Sequence, residues 1–533
     1  MRRPPRQRPR VRPRPRRQPR RHRHLPPRSV DAHRARRLTR GKPLMTLHVR
    51  HRGTALAFVV LFALGQALLW YAYYGHGAKV LIGDEQGYQD TALAILAGGP
   101  WMPSSIWPPL QPLLLAALYW LAGSHVLVAQ IAQTLLLLAC ALLLRGLWRE
   151  LGGSVAAANW AAALLLLSPP IAAYAQWLWP EIPHLFLLLA ALRLLALARR
   201  QWLAPAAHGR AAGTAALAGV CVGLALLAKS LLSGFWPLFL LMFVRRTRPR
   251  GGWRAAAAFV LGLGLVTAPA LVHGWRSHGK PMIADSSVYN LWMGLTDRWR
   301  SDYVQDMGGI ELPAFLASGS TPQQRNAVYL GKVREWVAGH GLGNVLAAQL
   351  GRQYFRLFNA KTLLVSQLPG PACAGHLSTY HTAPWLTRTL TWLNHASHAL
   401  ILVAAAFGLA CWRRRMGMLH LVVVLLAAYQ LVLFAFIHVK ARFLLPLMPF
   451  LCGLAGEVLA RLAASRRAVG MCTAAAGEAS GRSHTHAAPP ALAASPDHPP
   501  GPGAARLLAG AALAALLLVL AFAPAALDRL CAG

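Results

Sequence analysis

The chain has 533 residues, of which 56% are hydrophobic and 13% charged, with a formal net charge of +39. An average soluble domain is roughly 25% charged, so this composition excludes an ordinary soluble globular protein. Leu/Ala/Val runs recur from residue 55 onward, many near the roughly 20 residues that cross a hydrocarbon core, and they define an all-α, polytopic membrane protein.

In chain order, residues 1–44 come first. They hold 17 Arg, one Lys and one Asp, hence +17 of the +39. An Arg/Pro tract of this kind buries no core and is read as a disordered tail. Met45 opens "MTLHVRHRGTALAFVV", a basic flank followed by a span, and is the expected start of the working chain. The tail is otherwise a cytoplasmic anchor, and no nucleic-acid partner is assigned.

About eleven spans are predicted, at 54–75, 125–147, 154–174, 181–198, 212–228, 231–244, 254–274, 395–411, 418–437, 443–462 and 505–524. Basic clusters separate them at 144–152, 198–210, 245–254, 411–417 and 461–468. With the N-terminus inside, all of these fall on the cytoplasmic face, as the positive-inside asymmetry requires. The proline-rich stretch 107–123 is read as an interfacial helix, because counting it as a span would invert everything after it. The organisation is then an N-terminal transmembrane module 45–274 with a first external loop 76–124, a mixed external segment 275–394, helices 395–462, a cytoplasmic low-complexity linker 463–504 and a final helix 505–533.

This topology places eleven of the sixteen acidic residues outside, three of them in "LIGDEQGYQD" (81–90). Asp84 and Glu85 follow the first span, Glu181 opens the fourth, Lys229 ends the fifth, Arg276 and Lys280 end the seventh, and His438, Lys440 and Arg442 lie between the ninth and tenth. Ionisable groups near hydrocarbon are costly and tend to face a cavity; each taken singly also fits a snorkelling interfacial residue. Together they suit transfer from a lipid-linked phosphate. Lys or Arg holds the phosphate and the charge that grows on it, and a carboxylate takes the proton of an attacking hydroxyl. Seven scattered cysteines show no metal-ligand spacing; Cys373 and Cys531 are the two placed outside. His395 and His398 are read as interfacial rather than as ligands.

Six segments, in order, carry a resemblance: "GDEQGYQDTALAILAGG", "PPLQPLLLAALYWLAG", "SPPIAAYAQWLWPEIPHLFLLLA", "GVCVGLALLAKS", "APALVHGWRSHGKPMIADSSVYNLWMG" and "HVKARFLLPLMPFL". Over about residues 54–462 the chain resembles the GT-C class of integral membrane glycosyltransferases, in the branch of protein O-mannosyltransferases and lipid A aminoarabinose transferases (glycosyltransferase family 39/83 type). The resemblance implies an inverting glycosyltransferase of a bacterial inner membrane, with its site on the periplasmic face. The donor would be a polyprenyl-phosphate sugar and the acceptor a glycolipid, glycan or protein. Asp84 would be the catalytic base and Glu85 its neighbour in the substrate pocket. Lys229 and Arg442 would hold the donor phosphate, and Lys440 and Arg276 are added to them from their place at span ends. Tyr88, Glu181 and Asn290 are candidates for positioning substrate. Family members differ in needing a metal, so a divalent ion is left open and no metal ligand is assigned. The alternatives are a polyprenyl-linked glycan flippase or transporter, which calls for midplane charges and repeated halves, and an oligosaccharide ligase or polymerase.

Overall fold

The computed structural model describes residues 57–71, 79, 81, 84–204, 208–244, 252–296, 308–359, 384–414, 416–480 and 503–530. Apart from Ala57 these belong to one compact unit, Phe58–Gly533. The predicted tail 1–44, Met45, Cys373, Cys531 and most of the linker 463–504 lie outside the described residues, and the following concerns the unit alone.

All regular structure among the described residues is helical, and the bilayer explains why. A span must satisfy its backbone internally, because hydrocarbon offers no partners. Helix α1 is Ala57–Tyr71, and α2 (Asp84–Leu96) and α3 (Leu110–Ala122) form the first external loop. The bundle continues with α4 (Val126–Glu150), α5 (Val155–Leu167), α6 (Pro169–Ala173), α7 (Glu181–Leu203), α8 (His208–Ala228) and α9 (Gly252–His278). Helices α10 (Ser287–Leu295), α11 (Gly308–Ala317), α12 (Pro322–His340) and α13 (Leu342–Arg352) make up the external segment, so its described part is helical rather than mixed. The chain re-enters the bundle through α14 (Pro384–Ala410), α15 (Met418–Leu433), α16 (Met448–Ser480) and α17 (Ala504–Leu530).

Seven of these helices are long and apolar enough to cross a membrane, and the bent pair Val155–Leu167 with Pro169–Gln176 makes an eighth. Ala57–Tyr71 and Met418–Leu433 are apolar but shorter. Helix α3 has 13 residues, about 20 Å at 1.5 Å per residue, short of a core about 30 Å thick. The linker expectation fails at its start, because α16 runs on to Ser480; "TAAAGEAS" has low complexity, yet alanine is the strongest helix former.

The predicted span 231–244 is not among the helices long and apolar enough to cross a membrane, and it is not an α-helix. His184 faces the Ala225 carbonyl and Thr214 bonds Gln201, so α7 and α8 run antiparallel. Gly219 packs on Phe259 and Leu263, Gly223 on Leu263 and Val266, and Gly262 on Ala216. Here the numbers rise together, so α8 and α9 run parallel, and the chain between them must return through the depth of the bundle. It does so as the 3₁₀ segments Ser230–Leu232 and Trp236–Phe243. The Arg199 guanidinium, near the C-terminal end of α7, bonds the Met242 and Val244 carbonyls at the far end. Glycine is required at 219 and 262 because a Cβ would strike the facing backbone; close approach of this kind holds helices together where lipid supplies no hydrophobic drive.

The bundle's two ends differ in charge. At one end the predicted cytoplasmic clusters pair: Arg193 and Arg200 reach Glu150 at 2.6 and 3.0 Å, and Arg414 reaches Glu457 at 3.0 Å. At the other end lie α2, the start of α7 and the end of α8.

Candidate functional site

At that second end four breaks in regular structure converge. Asp84 is the first residue of α2, Glu181 the first of α7, and Arg442 lies in the first turn of the 3₁₀ helix Ala441–Leu447. Lys229 follows α8 in extended conformation (φ −150°, ψ 124°). Residues at such breaks have side chains free of the helix surface, which lets four distant segments share one small volume.

Arg442 Nη2 donates to Asp84 Oδ2 at 2.9 Å, and its Nε stands 3.6 Å from Glu181 Oε1. The same Glu181 oxygen accepts from Lys229 Nζ at 2.9 Å. The guanidinium lies over the Trp179 ring, 4.5 Å from its centroid, and Lys229 Nζ is 5.2 Å from the Phe443 ring. These contacts restrict both cations to one geometry. Glu181 is 1% exposed, whereas Asp84 keeps 35% of its side-chain surface. Burial pushes the Asp84 carboxyl up, but Arg442, Lys440 and Lys229 together outweigh it and hold the group below its ordinary range. Asp84 is therefore a carboxylate. Tyr88, one turn along, is pushed the other way by burial and by the charges of Asp84 and Glu181, so it keeps its proton and is a donor. Burial, with Lys440 and Arg442 adding to it, keeps His438 neutral.

Asp84 opens onto a cavity of about 250 Å³. Tyr88 and Thr91 of α2 form one wall, Trp101, Ser104 and Trp107 another, and Leu312 of α11 reaches in from the external segment. The loop 101–109 is pinned by polar contacts: Asp285 N donates to Ser105 O at 2.7 Å, Arg325 Nη2 to Ser105 Oγ at 2.9 Å, and Asn326 Nδ2 to Asp285 Oδ1 at 2.7 Å. The cavity is thus apolar and aromatic over most of its wall, with a carboxylate and a few hydroxyls on it.

Of the residues singled out from sequence, the structure brings together Asp84, Tyr88, Glu181, Lys229, Lys440 and Arg442. Glu85 points elsewhere. It accepts from Lys79 Nζ at 2.6 and 2.8 Å and from Leu178 N at 3.0 Å, is wholly buried, and is not among the cavity's lining residues. Its expected place beside the substrate is corrected to a buried ion pair within the bundle: Lys79 and the Leu178 amide hold its carboxylate, about 100° around the helix from Asp84, away from the cavity. Arg276 is exposed at the end of α9, and no contact joins it to the cluster among the described residues. Asn290 enters through its backbone, accepting the His438 amide at 3.1 Å and so steadying the loop before Lys440. His398 Nε2 contacts the Phe358 carbonyl at 3.0 Å and His395 meets Phe522 edge-on, both packing roles.

No three His, Cys, Asp or Glu side chains converge on a metal-sized space among the described residues. The carboxylate that faces the cavity is bonded to a guanidinium, and its neighbour Glu181 is paired with Lys229. This donor set does not fit a resident divalent ion.

Sequence reading missed Trp179, the stacking platform for Arg442, and Lys79, the partner of Glu85. The signal for the first was present in "WLWPEIP", two tryptophans directly before a helix-starting Pro-Glu.

No protein-family model matches the chain, and no curated protein matches it. Among solved structures it is similar to the archaeal oligosaccharyltransferase AglB from Archaeoglobus fulgidus, in complex with an inhibitory peptide and a dolichol-phosphate, at 14% identity and a TM-score of 0.46. The match covers 88% of this chain and 55% of AglB, so the chain spans about half the length of that protein. It is also similar to ArnT from Cupriavidus metallidurans in the apo state, at 18% identity and a TM-score of 0.36 over 76% of this chain and 78% of ArnT. The same protein bound to undecaprenyl phosphate gives 18% and 0.35.

Proposed function

We propose that the protein is an inverting glycosyltransferase, moving a sugar from a polyprenyl-phosphate donor to a hydroxyl-bearing acceptor at the outer face of a bacterial inner membrane. The observation that carries this reading is the Asp84–Arg442–Glu181–Lys229 cluster at the cavity's edge. Three cations, Lys229, Lys440 and Arg442, face two carboxylates there. The cluster retains one positive charge, suited to a lipid phosphate at the bilayer surface. Glu181 Oε2 and Ser230 Oγ are buried without a hydrogen-bond partner among the described residues, an arrangement more usual at binding sites than in packed interiors.

In this reading Arg442 and Lys229 hold the donor phosphate and stabilise the charge it gains as the sugar–phosphate bond breaks. Asp84 accepts the proton of the acceptor hydroxyl as its oxygen attacks the anomeric carbon from the opposite side, and Tyr88 donates a hydrogen bond in the same cavity. Phosphate binding draws Arg442 away from Asp84, freeing the carboxylate for the proton at the step that needs it.

The test compares envelope glycolipids and glycoproteins of a deletion strain with those of its parent by mass spectrometry. A glycan absent from the deletion strain, restored by the wild-type gene and not by Asp84→Asn, is expected. Identical glycan profiles in both strains, with no turnover of lipid-linked sugars by the purified protein, would refute the reading.

A further inference from the structure

Directly behind Trp179 the chain breaks from helix. Tyr174–Gln176 is a single 3₁₀ turn and Trp177 is extended (φ −105°, ψ 143°). This stretch is buried, so its peptide groups need partners that a helix would have provided. Side chains supply them. Gln130 Nε2 donates to Gln176 O at 2.9 Å, Gln133 Nε2 to Trp177 O at 2.6 Å and Gln111 Nε2 to Leu178 O at 2.9 Å. Glu85 takes the Leu178 amide at 3.0 Å. Three successive carbonyls are thus each held by a glutamine, two from α4 and one from α3, and all three glutamines are 0–1% exposed. In helices otherwise made of Leu and Ala, buried glutamines are expensive, and every one of these is aimed at the same three residues.

The residues so fixed lead directly into the site. Trp177 and Trp179 pack with ring centroids 4.8 Å apart and planes tilted by 33°, Arg442 lies on Trp179, and Glu181 begins α7 two residues later. We propose that Gln111, Gln130 and Gln133 are positioning residues for transfer: they lock the 176–178 break and thereby set where Trp179 and Glu181 hold Arg442. The inference rests on the functional reading above, in which Arg442 binds the donor phosphate. The glutamines touch no substrate; they act through the tryptophan platform.

Methionine matches glutamine in length but has no N–H to donate, so Gln130→Met and Gln133→Met remove the bonds while conserving volume. The purified full-length protein in nanodiscs is titrated with undecaprenyl phosphate, and initial rates give KM and kcat for donor and acceptor. Displacing a phosphate-binding group by about 1 Å costs up to about 10²-fold, so both variants are expected to bind undecaprenyl phosphate tens-fold more weakly. Their donor kcat/KM should fall to match, with acceptor KM unchanged. Glu457→Gln, which weakens a part-buried pair with Arg414 at the opposite end, should lower thermal stability and leave lipid-phosphate affinity as in wild type. Gln111→Met removes only the outermost of the three bonds and serves where an α4 variant does not fold. Wild-type affinity in all folded glutamine variants overturns the positioning role alone. A wild-type protein that binds no undecaprenyl phosphate, or an Arg442→Ala variant that binds it equally well, overturns the functional reading and this inference with it.

Discussion

Asp84 and Glu85 are adjacent acids whose substitutions should fail in opposite ways. Asp84→Asn breaks an ion pair that is partly exposed on both sides, 35% for Asp84 and 13% for Arg442. Pairs of this kind contribute about 0.2–1 kcal/mol, and Arg442 keeps Glu181 at 3.6 Å and the Trp179 ring. The variant should therefore accumulate almost as wild type. Its turnover should fall by about 10²–10⁴-fold, the usual cost of removing a general base, or about 2.7–5.4 kcal/mol in barrier height. Glu85→Gln instead removes the carboxylate charge paired at 2.6 Å with the Lys79 ammonium, which is 1% exposed. Breaking a buried pair on one side costs about 3–5 kcal/mol, a large share of the roughly 5–15 kcal/mol that keeps a typical protein folded. Glu85→Gln should thus lose most folded protein, while the fraction that survives turns over at close to the wild-type rate. The assay separates the two quantities: fluorescence-detected size exclusion gives folded abundance, and single-turnover transfer from a lipid-linked donor gives the rate per folded molecule. A Glu85→Gln enzyme that accumulates normally and is inactive would refute the reasoning, as would a fully active Asp84→Asn enzyme.

Arg442→Lys should recover only part of the donor affinity lost in Arg442→Ala, because a point charge cannot replace a fork that spans Asp84 and Glu181. Removing the guanidinium also takes away the strongest of the attractions that lower the Asp84 carboxyl against its burial. The wild-type rate should therefore hold as pH falls through about 5, whereas the acid limb of the residual Arg442→Ala rate should move upward; an unmoved limb counts against the pair. A cysteine introduced at exposed Ser320 should react with an impermeant maleimide in intact spheroplasts and one at exposed Ser465 should not, and the reverse pattern would invert the topology. Gly219→Val places a side chain against the Phe259 backbone and should cut folded abundance several-fold, measured by the same size-exclusion assay; normal abundance would contradict the parallel α8–α9 packing.

Seven of the eleven predicted spans coincide with helices long and apolar enough to cross a membrane and an eighth with the bent pair, because hydropathy registers apolar length whatever the local winding. It could not register the winding itself. In 231–244 the bulky run "GFWPLFLLMF" with Pro237 reads as an ordinary short span, and only the parallel α8–α9 contacts reveal a 3₁₀ return. The carboxylate cluster was legible because charge in an apolar chain is conspicuous. Which of two consecutive acids faced the cavity was not, since that depends on the rotation of α2, which Lys79 and the Leu178 amide fix from outside the motif. Gln111, Gln130 and Gln133 went unnoticed because a neutral amide leaves no trace in a charge map, although two of them lie three residues apart on one face of an otherwise apolar helix.

The 3₁₀ return also bears on how the protein is assembled. Eight residues wound at about 2 Å each give Trp236–Phe243 a reach of about 16 Å, too little to span hydrocarbon unaided. Its backbone lacks the uninterrupted bonding that lets an ordinary hydrophobic helix enter lipid alone. Helices α8 and α9 flank it, so residues 208–278 are expected to settle in the bilayer together rather than one segment at a time. Lys229, which sits where α8 gives way to the 3₁₀ return, would then reach its level in the site only once α9 is in place.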